Sequence, residues 1–113
     1  MGCPTMLTPA NTLGWNPGTI GGNQTITISL SGIVPSGAAI AYLSVGIGSE
    51  APAGTVVDST DASANLYSPV RTQVAGQYAN GFMLAPIDAS LNVRIVNESS
   101  ASFRLWVWLL AYS

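Results

Sequence analysis

The stretch Phe103-Arg104-Leu105-Trp106-Val107-Trp108-Leu109-Leu110-Ala111-Tyr112 decides the fold class. Successive side chains of a β-strand point to opposite faces of the sheet. In that register Phe103, Leu105, Val107, Leu109 and Ala111 share one face, and Arg104, Trp106, Trp108, Leu110 and Tyr112 share the other. The first set suits the core of a sandwich, and the second set then points outward. A tryptophan offers about 200 Å² for burial, so leaving a pair of them in water forfeits several kcal/mol at about 25 cal/mol per Å². Something must cover the outward face.

Working outward from this segment, the rest of the chain reads the same way. Thr25-Ile26-Thr27-Ile28-Ser29-Leu30-Ser31 alternates apolar with polar, the pattern of a half-buried strand. Residues 32–37 form a turn around Pro35, and residues 38–47 form a strand that is apolar on both faces. Its small alanines predict close approach of another layer. A loop over 48–54, a short strand over 55–57 and a polar loop over 58–65 follow. Short edge strands are expected at 66–67 and 70–74 around Pro69. Asn80-Gly81 reads as a turn, since both residues tolerate positive φ. Strands over 82–87 and 91–96 and turns over 88–90 and 97–102 lead into the final strand. No window has helical periodicity of useful length. About seven or eight short strands with regular turn signals predict an all-β chain, a single-domain antiparallel β-sandwich or jelly roll.

Residues 1–23 differ in character, punctuated by Pro4, Pro9, Pro17, Gly14, Gly18, Gly21 and Gly22. Proline and glycine cost about 3 and about 1 kcal/mol in a helix interior, which excludes helix. Met6, Leu7, Leu13, Trp15 and Ile20 nevertheless want burial. An extended N-terminal arm over 1–23, lying on its own domain or on a neighbour, precedes a β-sandwich domain over 24–113 in this reading. Deleting residues 1–20 is then expected to weaken assembly and leave the sandwich folded.

Composition bounds the function. Only 7% of the 113 residues are charged, against about 25% in an average chain. Lysine and histidine are absent; the charges are Arg71, Arg94, Arg104, Glu50, Asp58, Asp61, Asp88 and Glu98. With 48% hydrophobic residues the chain is not a disordered one. Its surface must be built from Ser, Thr, Asn, Gly and apolar groups, as suits a protein whose surface is covered in an assembly. A net charge of −2 and scattered arginines argue against nucleic acid and against a polybasic membrane contact. No basic region followed by an apolar run is seen at the start, and Met6 breaks the myristoylation pattern that Met1-Gly2-Cys3 begins. Without a leader, the sequons at Asn23 and Asn97 are expected to be chance. Cys3 stands alone, so no disulfide within the chain is expected.

Catalytic and metal chemistry find little to work with. The lack of histidine removes the commonest general base and excludes Ser-His-Asp and Cys-His arrangements. Asp58 and Asp61, in one polar loop with Ser59, Thr60 and Ser63, could offer oxygen ligands to calcium, but a solvated loop is the better reading. No enzyme activity, no cofactor and no metal site are expected.

The outward aromatic face therefore carries the functional reading. Its cover is the chain's own arm, a protein neighbour or a sugar, unless the core assignment is the opposite one and this face lies inside. Arg104, Trp106, Trp108, Leu110 and Tyr112, with Trp15 and Leu13 from the arm, are the candidate interface residues, since Trp, Tyr and Arg are the usual anchors.

Ile33-Val34-Pro35-Ser36-Gly37-Ala38 before an apolar strand, the turn Asp88-Ala89-Ser90-Leu91, and the aromatic strand ending Ala111-Tyr112-Ser113 together carry a likeness. Over roughly residues 25–113 the layout resembles small β-sandwich accessory proteins of tailed-phage virions, capsid decoration (cement) proteins among them. That resemblance implies a location on the capsid surface, self-association as a trimer or other closed oligomer, and bridging of major capsid subunits against internal pressure. The layout is also similar to β-sandwich carbohydrate-binding modules of phage fibres and bacterial surface proteins, which makes a carbohydrate the alternative partner. No functional residue carries over from either family.

Overall fold

A computed structural model describes residues 4–6 and 14–113, with residues 14–17 described by their backbone alone. The final strand sits at the centre. Among the described residues nine strands run β1 (Thr5–Met6), β2 (Gly14–Ile20), β3 (Thr25–Ser29), β4 (Ile40–Ile47), β5 (Val56–Thr60), β6 (Leu66–Arg71), β7 (Ala79–Pro86), β8 (Asn92–Asn97) and β9 (Phe103–Tyr112). In sheet A, β9 lies between β4 and the pair β1 and β2, with β7 beyond β4. Sheet B has the order β3-β8-β5-β6. All ladders are antiparallel.

The pairing is nested. β2 pairs with β9, β3 with β8, β4 with β7, and β5 with β6. This is one long hairpin rolled up, so that successive pairs fall alternately in sheet A and sheet B. The pairs β4–β9 and β5–β8 then stitch the roll together. That order is a jelly roll, the antiparallel double-sheet solution to the problem of exposed edges.

The core forms between the sheets from alternate residues. Phe103, Leu105, Val107 and Leu109 are all buried, facing Ile26, Ile28, Val93 and Ile95 of sheet B within one cluster, while Ala111, beyond a bulge in β9 and paired with Tyr42, is buried beneath the outer groove instead. Each buried Val, Leu, Ile or Phe is worth about 1.5–3 kcal/mol relative to exposure. Polar pins hold the connections. Asn97, fully buried, donates from Nδ2 to the carbonyls of Gly21 (2.9 Å) and Ala101 (2.7 Å), while Oδ1 accepts from Ser99 N (2.9 Å). The sequon asparagine is thus a structural hub, with no side-chain atom free for a glycan.

Several expectations change. Within the expected arm, residues 14–20 do not stand apart from the sandwich: β2 is a strand of sheet A, and Ile20 is fully buried in the core. Removing residues 1–20 takes a strand from the sheet along with the arm. Asp58–Thr60 belong to β5 instead of a loop, and all three are buried. Ser59 faces inward, where its Oγ donates to the Leu84 carbonyl of β7 at 2.5 Å. Asn80 and Gly81 lie within β7 and do not turn. A Cβ on Gly81 would stand 3.0 Å from both γ-carbons of Val70, so glycine there serves the close approach of β6 to β7. Residues 66–71 run as one strand through Pro69, which an edge strand tolerates because no partner needs its N–H. The free edge of β7 is closed in turn, with the Leu84 N–H donating to Ser68 Oγ at 3.2 Å.

Candidate binding face

The outer side of sheet A is built in cross-strand rows. Ser44 of β4 lies opposite Trp108 on one side and Phe82 on the other. Gly46 lies between Trp106 and Asn80 in the same manner. Tyr42 lies opposite Leu84, with Leu110 displaced beside it by a bulge in β9 between Ala111 and Leu109. The central strand thus puts small residues, Ser44 and Gly46, between aromatic flanks.

The two ends of this face differ. Towards Tyr112 it is apolar: a groove of about 300 Å³ is walled by Met6, Tyr42, Phe82, Leu84 and Leu110, with no charged side chain in its lining. Phe82 is 79% exposed, Met6 73% and Leu84 49%. Towards Arg104 the face is polar as well as aromatic. Glu50 accepts from Arg104 Nε (3.1 Å) and Nη2 (3.3 Å), and Nη2 also reaches the Tyr78 hydroxyl at 3.3 Å. The guanidinium carbon stands 5.3 Å from the Trp106 ring centroid, and Tyr78 meets the same ring edge-on at 5.5 Å. The hydrogen bonds from Arg104 hold the Glu50 carboxyl below its ordinary range, and Glu50 in turn raises the guanidinium further. A cleft of about 130 Å³ opens here between Trp106, Trp108, Tyr78 and Asn80 over Gly46.

Of the residues singled out from sequence, Arg104, Trp106, Trp108 and Leu110 share this outer face, Arg104 exposed and the others half-buried. Beyond the bulge Tyr112 lies opposite the buried Ala41 and packs against the core, which corrects its expected place on the outer face. Trp15 pairs by its backbone with Val107, a residue of the core row. Leu13 and Cys3 lie outside the described residues. Sequence reasoning missed Phe82, Leu84, Tyr78, Asn80, Glu50 and Met6. Alternation in Phe82-Met83-Leu84-Ala85 was available as a signal, but both faces of that strand are apolar, so it did not show which pair points out.

The carboxylates lie elsewhere. Asp61 is occupied within its own turn, accepting from Ser63 N (2.9 Å), Asn65 N (3.0 Å), Asn65 Nδ2 (3.0 Å) and the Tyr67 hydroxyl (2.7 Å). These donors, the Tyr67 hydroxyl first, hold it far below the ordinary carboxylate range. Asp58 is buried in β5 beside Glu98, so it and Asp61 do not share a loop. Among the described residues no three His, Cys, Asp or Glu side chains gather as metal ligands.

No family model matches this chain, and no curated protein matches it.

Proposed function

We propose that this chain is a non-enzymatic virion structural protein, a capsid decoration protein whose copies associate through the apolar half of the outer face of sheet A. As a closed oligomer it bridges major capsid subunits on the virion surface. One observation carries the reading: Phe82, Met6 and Leu84 stand exposed around an uncharged groove, in a chain with only three arginines and five carboxylates. Phe82 alone leaves on the order of 150 Å² in water. With its neighbours the patch reaches the size range of an interaction site, on the order of a few hundred Å². A second copy is the occupant that suits it. Subunits of an oligomer present the same patches repeatedly, and an uncharged patch meets its neighbour without like-charge repulsion. Jelly rolls host both capsid and lectin domains, so the fold is compatible with this reading by analogy alone.

Light scattering after size exclusion, at micromolar concentration, tests the proposal. The parent chain is expected to elute as a closed oligomer and to co-sediment with assembled major capsid shells. The double variant Phe82→Ser, Leu84→Ser is expected to run as a folded monomer and to lose co-sedimentation. A parent chain that is monomeric and stays in the supernatant overturns the reading.

A further inference from the structure

The polar end of the same face has a chemistry that subunit contact does not require, and we infer that the cleft between Trp106 and Asn80 binds a neutral saccharide. The floor is Gly46, where an added Cβ would stand 2.9 Å from Asn80 Oδ1 and 3.6 Å from Trp106 Cβ. Glycine at this position therefore lets the tryptophan and the amide approach across β4. Around that floor, groups of opposite character converge. Trp106 and Trp108 supply aromatic surface, while Asn80 and the Tyr78 hydroxyl supply donors and acceptors, with the Arg104–Glu50 pair alongside, bonded to Tyr78 through Arg104.

A pyranose ring has the matching duality, with C–H groups on its faces and hydroxyls around its edge. The C–H groups carry partial positive charge. An aromatic face attracts such groups for the reason that it attracts the Arg104 guanidinium already placed over Trp106. Charge selects within the class. Glu50 neutralises Arg104 through both oxygens, so an anionic ligand would have to displace a carboxylate already bonded there. A neutral sugar needs no such exchange, and it can accept from the Asn80 amide and donate to the Tyr78 hydroxyl oxygen. The apolar groove at the other end of the face has no charged group in its lining, which separates this site from the subunit contact proposed above. The two proposals therefore fail independently.

The test is a titration of the full chain with neutral oligosaccharides built on glucose, galactose, mannose and N-acetylglucosamine. Binding is read from the indole N–H signals in nitrogen-15 NMR spectra. At least one sugar is expected to shift the Trp106 signal saturably in the millimolar range or below. Asn80→Ala, which removes an exposed side chain and leaves the core alone, is expected to weaken that binding by about tenfold, the equivalent of one lost hydrogen bond. Trp106→Ala is expected to abolish it, read from the Trp108 indole signal that remains and judged on variants whose spectra remain dispersed. No shift with any sugar, or a shift that Asn80→Ala leaves unchanged, overturns the inference. So does a Trp106 signal that moves on dilution alone, since the cleft is then covered by a second copy.

Discussion

The Glu98 carboxyl lies beside that of Asp58, which is buried in β5, and like charges so close do not both ionise easily. This contact, with partial desolvation, pushes Glu98 up from 4.5 to about 7, against an opposing pull from Arg71. Between those two values the folded chain keeps a proton that the unfolded chain releases. The stability it contributes is therefore complete below 4.5 and is lost as pH rises through about 7. Glu50 and Asp88 have the opposite sign: their values are lowered, by Arg104 and by the Asn92 N–H respectively, and their contributions are lost on acidification. Glu98 is exposed, so solvent screening keeps its effect small. Glu98→Gln carries no charge at any pH. Its urea midpoint is expected to gain on the parent's between about pH 5 and about pH 8. Parallel midpoints across that range would show that no proton is shared. None of this was visible in sequence, where Asp58 and Glu98 are separated by three turns of chain direction and Asp58 reads as part of a polar loop.

At the scale of elements, β9 is where sequence and structure agree most closely. Residues 103–112 form the strand, and its burial alternates as the side chains do. The reason is packing: Phe103, Leu105, Val107 and Leu109 are large and all buried on one face, so a one-residue slip would expose every one of them. Leu109 is fully buried, while its neighbour Leu110 is half-exposed on the outer face. Leu109→Ala is expected to cost about 2–5 kcal/mol in chemical denaturation, and Leu110→Ala less than half as much. Equal losses would mean that the outer face is as tightly covered as the core. β7 shows the contrary case. Asn80-Gly81 has the composition of a turn, yet the close approach of Val70 makes that glycine part of a strand. Local turn chemistry states what the backbone tolerates; packing against another strand determines which conformation is used.

The molecule as a whole is a neutral-surfaced jelly roll whose aromatic face divides into an apolar end and a polar one. If copies associate through the apolar end, the contact rests on area and not on ion pairs. Raising salt to about 1 M shortens the screening length to about 3 Å and is expected to leave the oligomer mass unchanged or increased. Dissociation by salt, followed by light scattering, would point to an ionic contact elsewhere on the chain. Alternation puts Trp106 and Trp108 on one face of β9, but which face is core, and what surrounds them, comes from packing. Arg104 meets Glu50 across 54 residues of sequence, and Phe82 and Leu84 come beside Trp108 and Leu110 through β4. The all-β class, the limits of β9 and the division of residues 103–110 between its faces were legible in the sequence, because alternation is a local property of an extended chain. Which face of β9 is core, where its bulge exchanges Ala111 and Tyr112, which strands are neighbours, that β2 belongs to the sheet, and which polar groups line the tryptophan cleft were settled by tertiary pairing. Those follow from nested pairing across the whole chain, and no local period encodes them.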